Sequence, residues 1–448
     1  MPSIPSIKQL STPAESGIRA IGDGRAYQPI ADHDTLHALH AFTPISTTIN
    51  MDMNIEDWIF YIQNNPIVVV FLVLALWLFG LWNRQSSSVI PKDEEETYPP
   101  IVPLPSFNWE TTEPIKYRPF KPKYHLSMAL TTTDISHLIP MDKTYKDRLS
   151  LRQSLLSQYP TIVVGVTPAG QKPDSPVYAA ITELYDFIVG VYLPTRYPSM
   201  FTLETIHSQD HNTTNNEEKN TKTLLNKVTN TRIPLPHTGS GRDILSTLGT
   251  FVDEDFLVLL PGSSPQPKEN QEAEKKYTLE AYTTFYPAGF DTREKLGKRL
   301  STIHDPVPRY KERLEKSMDR FFARLEVGKV VQRVNWSINT QGTGLFAAFG
   351  GLHGHEGERE KVLGVEEVDG DVTLLRCERQ TLHRLPKTKA LVFTFHTYTY
   401  PIREIKEEGL GEELALAIDG LKEGNVPEIH RYKRGPVWGE AVKAYLRA

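Results

Sequence analysis

The stretch that decides the fold runs from Leu374 to Pro401 and reads LLRCERQTLHRLPKTKALVFTFHTYTYP. Two strands are predicted at or next to its ends, over Val372 to Cys377 and Ala390 to Tyr400, because both segments are rich in β-branched and aromatic residues. A third strand is predicted over Val330 to Ile338, where apolar and polar residues alternate. Helical patterns lie before and after these strands. The order predicts an α+β domain with an antiparallel sheet and flanking helices.

The helical patterns are spaced at three and four residues. The clearest begins at Tyr310 and ends at Leu325, with glycine at position 328 as its cap. Asp142 to Tyr159 and Val177 to Leu193 read as two further helices. His207 to Arg232 is rich in Asn and Thr and is interpreted as a polar insert.

Composition excludes several functional classes. The chain has 448 residues, a single cysteine and a net charge of −5. One cysteine cannot form an internal disulfide, a cysteine-based zinc site or a cysteine-ligated iron–sulfur cluster. The near-neutral charge argues against a nucleic-acid-binding protein.

One segment predicts a membrane anchor. Pro66 to Trp82 is continuously apolar, and Trp58 extends the segment toward the N-terminus. We expect residues 58–82 to cross the lipid bilayer once. Residues 1–57 are predicted to be a disordered tail and 83–114 a proline-rich, acidic linker, which leaves 115–448 as the folded domain. Basic residues follow the anchor and are absent from Ala41 to Asp57, so the C-terminal domain is expected in the cytosol.

His304 is the first candidate for a functional residue. It precedes Pro306 and Pro308, whose fixed backbone would hold the imidazole in one direction. A rigid neutral histidine is a good metal or haem ligand. From the residues alone a structural turn is the other interpretation. His353-Gly-His355 is a further histidine pair, but no third ligand is evident and a glycine-rich loop explains it.

A cluster of charges on the strand that follows Leu374 is the second candidate. Arg376, Glu378 and Arg379 lie within a predicted apolar strand, and Cys377 lies among them. Charges in such a place must pair or face a cavity, so both a buried ion-pair network and the wall of an active site remain open.

These segments together resemble the haem-dependent oxidative N-demethylase α-subunit family, whose fungal members are also called HRQ-family proteins. The resemblance is carried by Ile303-His-Asp-Pro-Val-Pro308, Arg333-Val-Asn-Trp336, Arg376-Cys-Glu-Arg-Gln-Thr-Leu-His-Arg-Leu-Pro386, and Asp142-x-x-Tyr145 with Arg148 and Arg152. It covers residues from about Ile115 to the end of the chain. Glu378 stands where the HRQ name would imply histidine.

The resemblance implies a PAS-like domain that binds haem b and oxidises a small amine, with electrons from a separate reductase. It implies His304 as the metal ligand, and it makes Arg333, Asn335 and Arg376 candidates for cofactor binding. Glu378 and Arg379 become the candidate catalytic residues. Cys377 is a less favoured ligand, because it lies in mid-strand without a glycine-rich turn.

Two other functions remain open at this point. The domain could be a PAS-like sensor of haem or gas without turnover, or a family member that has lost its cofactor. No output domain is visible in the sequence, and fold analogy alone cannot separate these functions from an enzyme.

Overall fold

A computed structural model describes residues 96–209, 218–262, 276–350, 352–354 and 361–448. All of them belong to one compact unit, Lys92–Ala448. The predicted tail, the predicted membrane helix 58–82 and the first part of the predicted linker lie outside the described residues. So do His355 of the histidine pair and most of the loop after residue 262.

The described part of the domain mixes helices with antiparallel sheets. Its strands are β1 (Thr131–Thr133), β2 (Val164–Val166), β3 (Phe201–Gln209), β4 (Glu218–Asn226), β5 (Thr231–Leu235), β6 (Asp255–Pro261), β7 (Tyr277–Thr283), β8 (Val330–Asn339), β9 (Leu374–Arg384) and β10 (Leu391–Pro401). Seven of them form one antiparallel sheet in the order β1-β8-β9-β10-β6-β7-β2, and β3-β4-β5 form a smaller one. The expectation of an antiparallel sheet with flanking helices is confirmed.

The helices flank these sheets. They are α1 (Tyr145–Gln158), α2 (Pro160–Val163), α3 (Pro176–Phe187), α4 (Leu193–Arg196), α5 (Gly241–Phe251), α6 (Leu300–Ile303), α7 (Tyr310–Arg313), α8 (Glu315–Arg324), α9 (Ile402–Glu407), α10 (Gly411–Glu423), α11 (Ile429–Tyr432) and α12 (Gly435–Arg447). A π-helical turn, Ile188–Tyr192, joins α3 to α4. The predicted helix from Tyr310 to Leu325 is divided at Leu314 into α7 and α8.

The register of the three central strands defines two faces of the large sheet. Glu378 lies opposite Asn335, and Gln380 lies opposite Arg333. Because successive side chains of a strand point to opposite faces, these residues share one face, called here the Glu378 face. Arg379 is the residue between them and belongs to the other face, called the Arg379 face.

Each face is covered by a different set of helices. On the Glu378 face, Val331 and Leu382 pack with Leu300, Met318 and Phe322 of α6 and α8. The Arg379 face is covered at one end by α3 and α5, and at the other end by α10 and α12. The helices that follow β7 and precede β8 therefore enclose the Glu378 face.

Two sequence interpretations need correction. The insert His207 to Arg232 reads as polar in the sequence, but it contributes most of the sheet β3-β4-β5, and its Leu224 is fully buried. The segment 96–114 was predicted to be linker, and it has no helix or strand. Tyr98, Leu104 and Trp109 nevertheless pack against the core, so the folded domain begins before Ile115.

One helix of the described residues, Pro176–Arg196, is long and apolar enough to cross a membrane by length and composition. More than half of its apolar window, 56%, is buried inside the domain. That burial is typical of a core helix. The predicted span 58–82 is a different segment.

Candidate functional site

His304 lies at the C-terminal end of α6, above the Glu378 face. Its backbone N–H donates to the Leu300 carbonyl at 3.0 Å, which makes His304 the cap of the helix. Its ring nitrogen Nδ1 lies 2.7 Å from the same carbonyl oxygen. The ring also stacks on Tyr310, with centroids 4.9 Å apart and planes at 15°. One hydrogen bond from the ring and one stacked ring therefore fix the direction of the imidazole.

This contact determines which ring nitrogen of His304 is free. A carbonyl oxygen can only accept, so Nδ1 carries the hydrogen and Nε2 keeps its lone pair. Burial lowers the pKa of His304 to about 4, and the charges of Lys295 and Arg333 act in the same direction. The imidazole is therefore neutral near pH 7. A neutral histidine whose second nitrogen donates to a backbone carbonyl is the usual form of a metal ligand.

Glu378 is the carboxylate of this face. Gln380 donates through Nε2 to Oε2 of Glu378 at 3.1 Å. The other oxygen, Oε1, is buried and has no hydrogen-bond partner among the described residues. The nearest cation is Nε of Arg376, at 3.6 Å. Oε1 therefore has an ionic contact with Arg376 but no hydrogen bond, and it can accept one from a further donor.

Arg333 lies on the same face, and one of its N–H groups has no hydrogen-bond partner among the described residues. Its Nη1 donates to the Met128 carbonyl at 3.3 Å. Its Nε is buried without a partner in the described structure. Its charge is close enough to lower the pKa of His304. The alternation predicted for Val330 to Ile338 puts Arg333 and Asn335 on one face, and the register places them there, opposite Gln380 and Glu378.

Two lysines that the sequence did not single out complete this face. Lys433 is buried, and its ammonium donates to the carboxamide oxygen of Asn335 at 3.2 Å and to the Trp336 carbonyl. Burial lowers its pKa to about 7. Burial also lowers the pKa of Lys295 to about 8, while the charge of Glu378 opposes the shift in both lysines. Nothing in the local sequence marks Lys433 as buried or Lys295 as half-buried.

The remaining predicted residues are placed differently. Arg376 shares the Glu378 face, but its guanidinium donates to the carbonyls of Leu345, at 2.9 Å, and Tyr286. Arg379 lies on the opposite face and donates to the carbonyls of His137 and Leu138. The structure therefore brings Glu378 and Arg376 together with Arg333 and Asn335, and it separates Arg379 from them.

Cys377 and the histidine pair gain no support as ligands. Cys377 lies on the Arg379 face, and burial raises the pKa of its thiol to about 12, so the thiolate is absent at neutral pH. His353 packs against Tyr432, with ring centroids 4.6 Å apart. Over the residues that the structure describes, no group of three or more His, Cys, Asp or Glu side chains is arranged to hold a metal ion.

The Asp142-x-x-Tyr145 segment begins α1 and ties it to β6. Asp142 accepts from the backbone and hydroxyl of Thr144 at the start of the helix. One and two turns later, Arg148 pairs with Asp253, and the fully buried Arg152 pairs with Asp255 at 2.9 Å. These residues hold the sheet in position and lie outside the His304 site.

The fold and the site together define a domain with a fixed, neutral histidine on one face of its large antiparallel sheet, close to the charges of Lys295 and Arg333. Residues 129–443 match the family described as haem-dependent oxidative N-demethylase, alpha subunit-like. The match covers more than half of the chain, and the chain belongs to this family. Comparison with curated proteins finds no match.

Proposed function

We propose that this protein is a membrane-anchored haem protein that oxidises a small amine in the manner of an oxidative N-demethylase. The observation that carries the proposal is the geometry of His304. Its Nδ1 is committed to the Leu300 carbonyl at 2.7 Å, and its neutral Nε2 is left for an axial bond. Membership of the family supports haem as the group that would take this bond.

The sheet order supports a PAS-like fold for the part that would hold the haem. From β6 to β10, the five strands lie in the order β7-β6-β10-β9-β8. Counted from β6, this order is 2-1-5-4-3, which is the strand order of a PAS sheet. The helices α6 to α8 lie in the connection between the second and third of these strands. In PAS domains that connection covers the ligand pocket, and here it carries His304.

The side chains of this face fit a haem group. Haem needs one strong axial ligand, an apolar slot and cations for its propionates. Leu382 and Phe393 of the sheet supply apolar surface opposite α8. Arg333 keeps a free donor, and Lys295 and Lys433 add positive charge. Asn335 and Lys433 are engaged with each other, and Arg376 is engaged by carbonyls, so we assign the propionates to Arg333 and Lys295.

When bound, haem b would supply the activation of oxygen that oxidative demethylation of an amine to formaldehyde requires. The chain must obtain electrons elsewhere, because its sequence has one cysteine and no flavin-binding pattern. We therefore propose a separate reductase as its electron donor. Glu378 is the residue we assign to the amine, because its free Oε1 can accept a hydrogen bond from an ammonium group. Arg379, on the opposite face, is left out of this pocket.

We place the domain on the cytosolic side of a membrane, through the anchor 58–82. The support is the apolar sequence and the basic residues that follow it. The test is extraction of cell membranes with alkaline carbonate. The full chain should remain in the membrane pellet, while a chain that lacks residues 1–82 should be released. Release of the full chain would contradict the anchor.

The enzymatic part is tested by product formation. The full chain, purified with haem, is mixed with a surrogate reductase, NADPH and a secondary N-methylamine. Amine-dependent release of formaldehyde supports the demethylase. A haem spectrum without formaldehyde from any amine in a broad panel would instead support the sensor function, because the same pocket would bind haem without turnover.

A further inference from the structure

A cavity lies on the Arg379 face, on the other side of the sheet from His304. Its volume is about 470 Å³, which is within the range of small-molecule sites. Arg379 and Tyr398 of the central strands form part of its wall, Arg196 and Tyr197 at the end of α4 form another part, and Thr112–Tyr117 contributes a third. No role for this cavity follows from the proposed haem site.

Two buried groups at this cavity have no hydrogen-bond partner among the described residues. They are the hydroxyl of Tyr398 and Nε of Arg196. Both residues are more than nine-tenths buried, with exposures of 4% and 7%. A buried donor without a partner costs about 1–3 kcal/mol. A ligand that accepts hydrogen bonds would remove this cost.

The charges at the cavity favour an anion. Burial raises the pKa of Tyr197, and the charges of Arg196 and Arg379, which both line the cavity, oppose that shift. Asp142 and Glu113 also line the cavity, but they are engaged elsewhere. Asp142 accepts from Thr144, and Glu113 pairs with Lys143 at 2.8 Å. Hydrogen bonds from Thr144 do not cancel the charge of Asp142, so the wall carries the two guanidinium charges against one carboxylate charge, with an excess of positive charge.

The rest of the wall combines apolar and aromatic side chains with the polar side chains of Thr112, Thr133, Ser136, His137 and Gln332. Ile115, Ile139, Met141 and Tyr117 contribute apolar surface. A planar carboxylate matches a guanidinium well, and an apolar body would contact these side chains. We propose that this cavity binds a small organic carboxylate with an apolar or aromatic body. The proposal is independent of haem binding and of the oxidation of amines.

The experiment measures binding of phenylacetate, benzoate and hexanoate to the full chain in detergent by isothermal titration calorimetry. Phenylacetamide, the neutral analogue, is measured in parallel. We expect at least one carboxylate to bind at concentrations up to about 10 mM, and its neutral analogue to bind about tenfold more weakly. Binding of no carboxylate in this range overturns the proposal, and so does equal binding of phenylacetate and phenylacetamide.

The variant Tyr398→Phe tests whether the carboxylate binds in this cavity. This variant removes one unpartnered hydroxyl and keeps the ring, so the fold should be retained. Loss of a hydrogen bond to a charged ligand should weaken carboxylate binding about tenfold or more. Tyr282→Phe is the matched control, because it removes another buried, unpartnered hydroxyl of the same sheet that does not line this cavity. Equal affinities of the two variants would overturn the assignment of the site.

Discussion

His304 and Leu300 are joined twice across one turn of helix, by the backbone N–H of His304 at 3.0 Å and by its Nδ1 at 2.7 Å, both to the Leu300 carbonyl oxygen. The second contact fixes the tautomer of the imidazole and leaves Nε2 as a ligand atom. The same contact also caps the last turn of α6, as histidine side chains at helix C-termini do. The relation between these two residues is the basis for the predictions about the haem site.

Glu378→Gln should impair turnover without loss of haem. The substitution keeps the shape of the side chain and removes the charge that would attract an ammonium group. A hydrogen bond to a charged group contributes about 1.5–3 kcal/mol, so we expect amine-dependent formaldehyde release to fall by about 10- to 100-fold. The haem spectrum should keep its shape.

The control for this prediction is Glu423→Gln, because Glu423 is an exposed carboxylate on α10. It should leave turnover unchanged. If Glu378→Gln also keeps full turnover, Glu378 is not the residue that binds the amine.

Arg152→Met should destabilise the domain strongly. Arg152 is fully buried and lies 2.9 Å from Asp255, and its Nη2 also donates to the Glu254 carbonyl at 2.6 Å. Removal of one partner of a buried pair leaves an uncompensated charge, which costs about 3–5 kcal/mol. Urea unfolding, followed by tryptophan fluorescence, measures the change in the free energy of unfolding.

Arg447→Met is the comparison for Arg152. Arg447 pairs with Glu412 at 2.7 Å, but both side chains are exposed to solvent. Exposed pairs contribute little to stability. A loss of unfolding free energy as large in Arg447→Met as in Arg152→Met would contradict this reading of the network.

His383→Leu should remove part of the acid sensitivity of the fold. His383 is fully buried, neither ring nitrogen has a partner in the described structure, and its nearest polar ring is Tyr98 at 5.9 Å. Burial lowers its pKa from 6.5 to about 3. Between these values the unfolded chain binds the proton and the folded chain does not. The part of the unfolding free energy that depends on the protonation of His383 is therefore largest above pH 6.5, and it is lost as the pH decreases toward 3.

At pH 5 the loss due to His383 should be about 2 kcal/mol relative to pH 7.5. The unfolding free energies of wild type and His383→Leu are compared at both pH values. Wild type should lose about 2 kcal/mol more than the variant. The same pH dependence in both proteins would show that His383 does not titrate in this way.

The sequence predicted the central strands well, because their side chains alternate between two environments. Arg333 and Asn335 alternate with Val334 and Trp336, and the register places them as this pattern indicates. The same period of two explains why Glu378 and Arg379, adjacent in the chain, belong to opposite faces. The sequence analysis grouped Glu378 and Arg379 because they are neighbours in the chain, but neighbouring residues of a strand cannot point into the same pocket on one face.

Other features depend on tertiary packing and could not be predicted. Lys433 follows Arg431 and Tyr432 in a short basic segment that reads as exposed, yet Trp336 and Asn335 of β8 bury it. The predicted long helix is interrupted at Leu314. It begins after Arg309, whose backbone lies in the left-handed region at φ 55°. Neither Arg309 nor Leu314 is a glycine or proline, so the residue type does not indicate these changes of backbone conformation.

The most direct test of the central claim is the visible spectrum of the full chain and of His304→Ala, both purified from cells supplied with haem. His125→Ala, at an exposed histidine, is the matched control. We predict a Soret band for wild type and His125→Ala, its loss or displacement in His304→Ala, and its recovery when imidazole is added. An unchanged Soret band in His304→Ala, or no Soret band in wild type, would contradict the account.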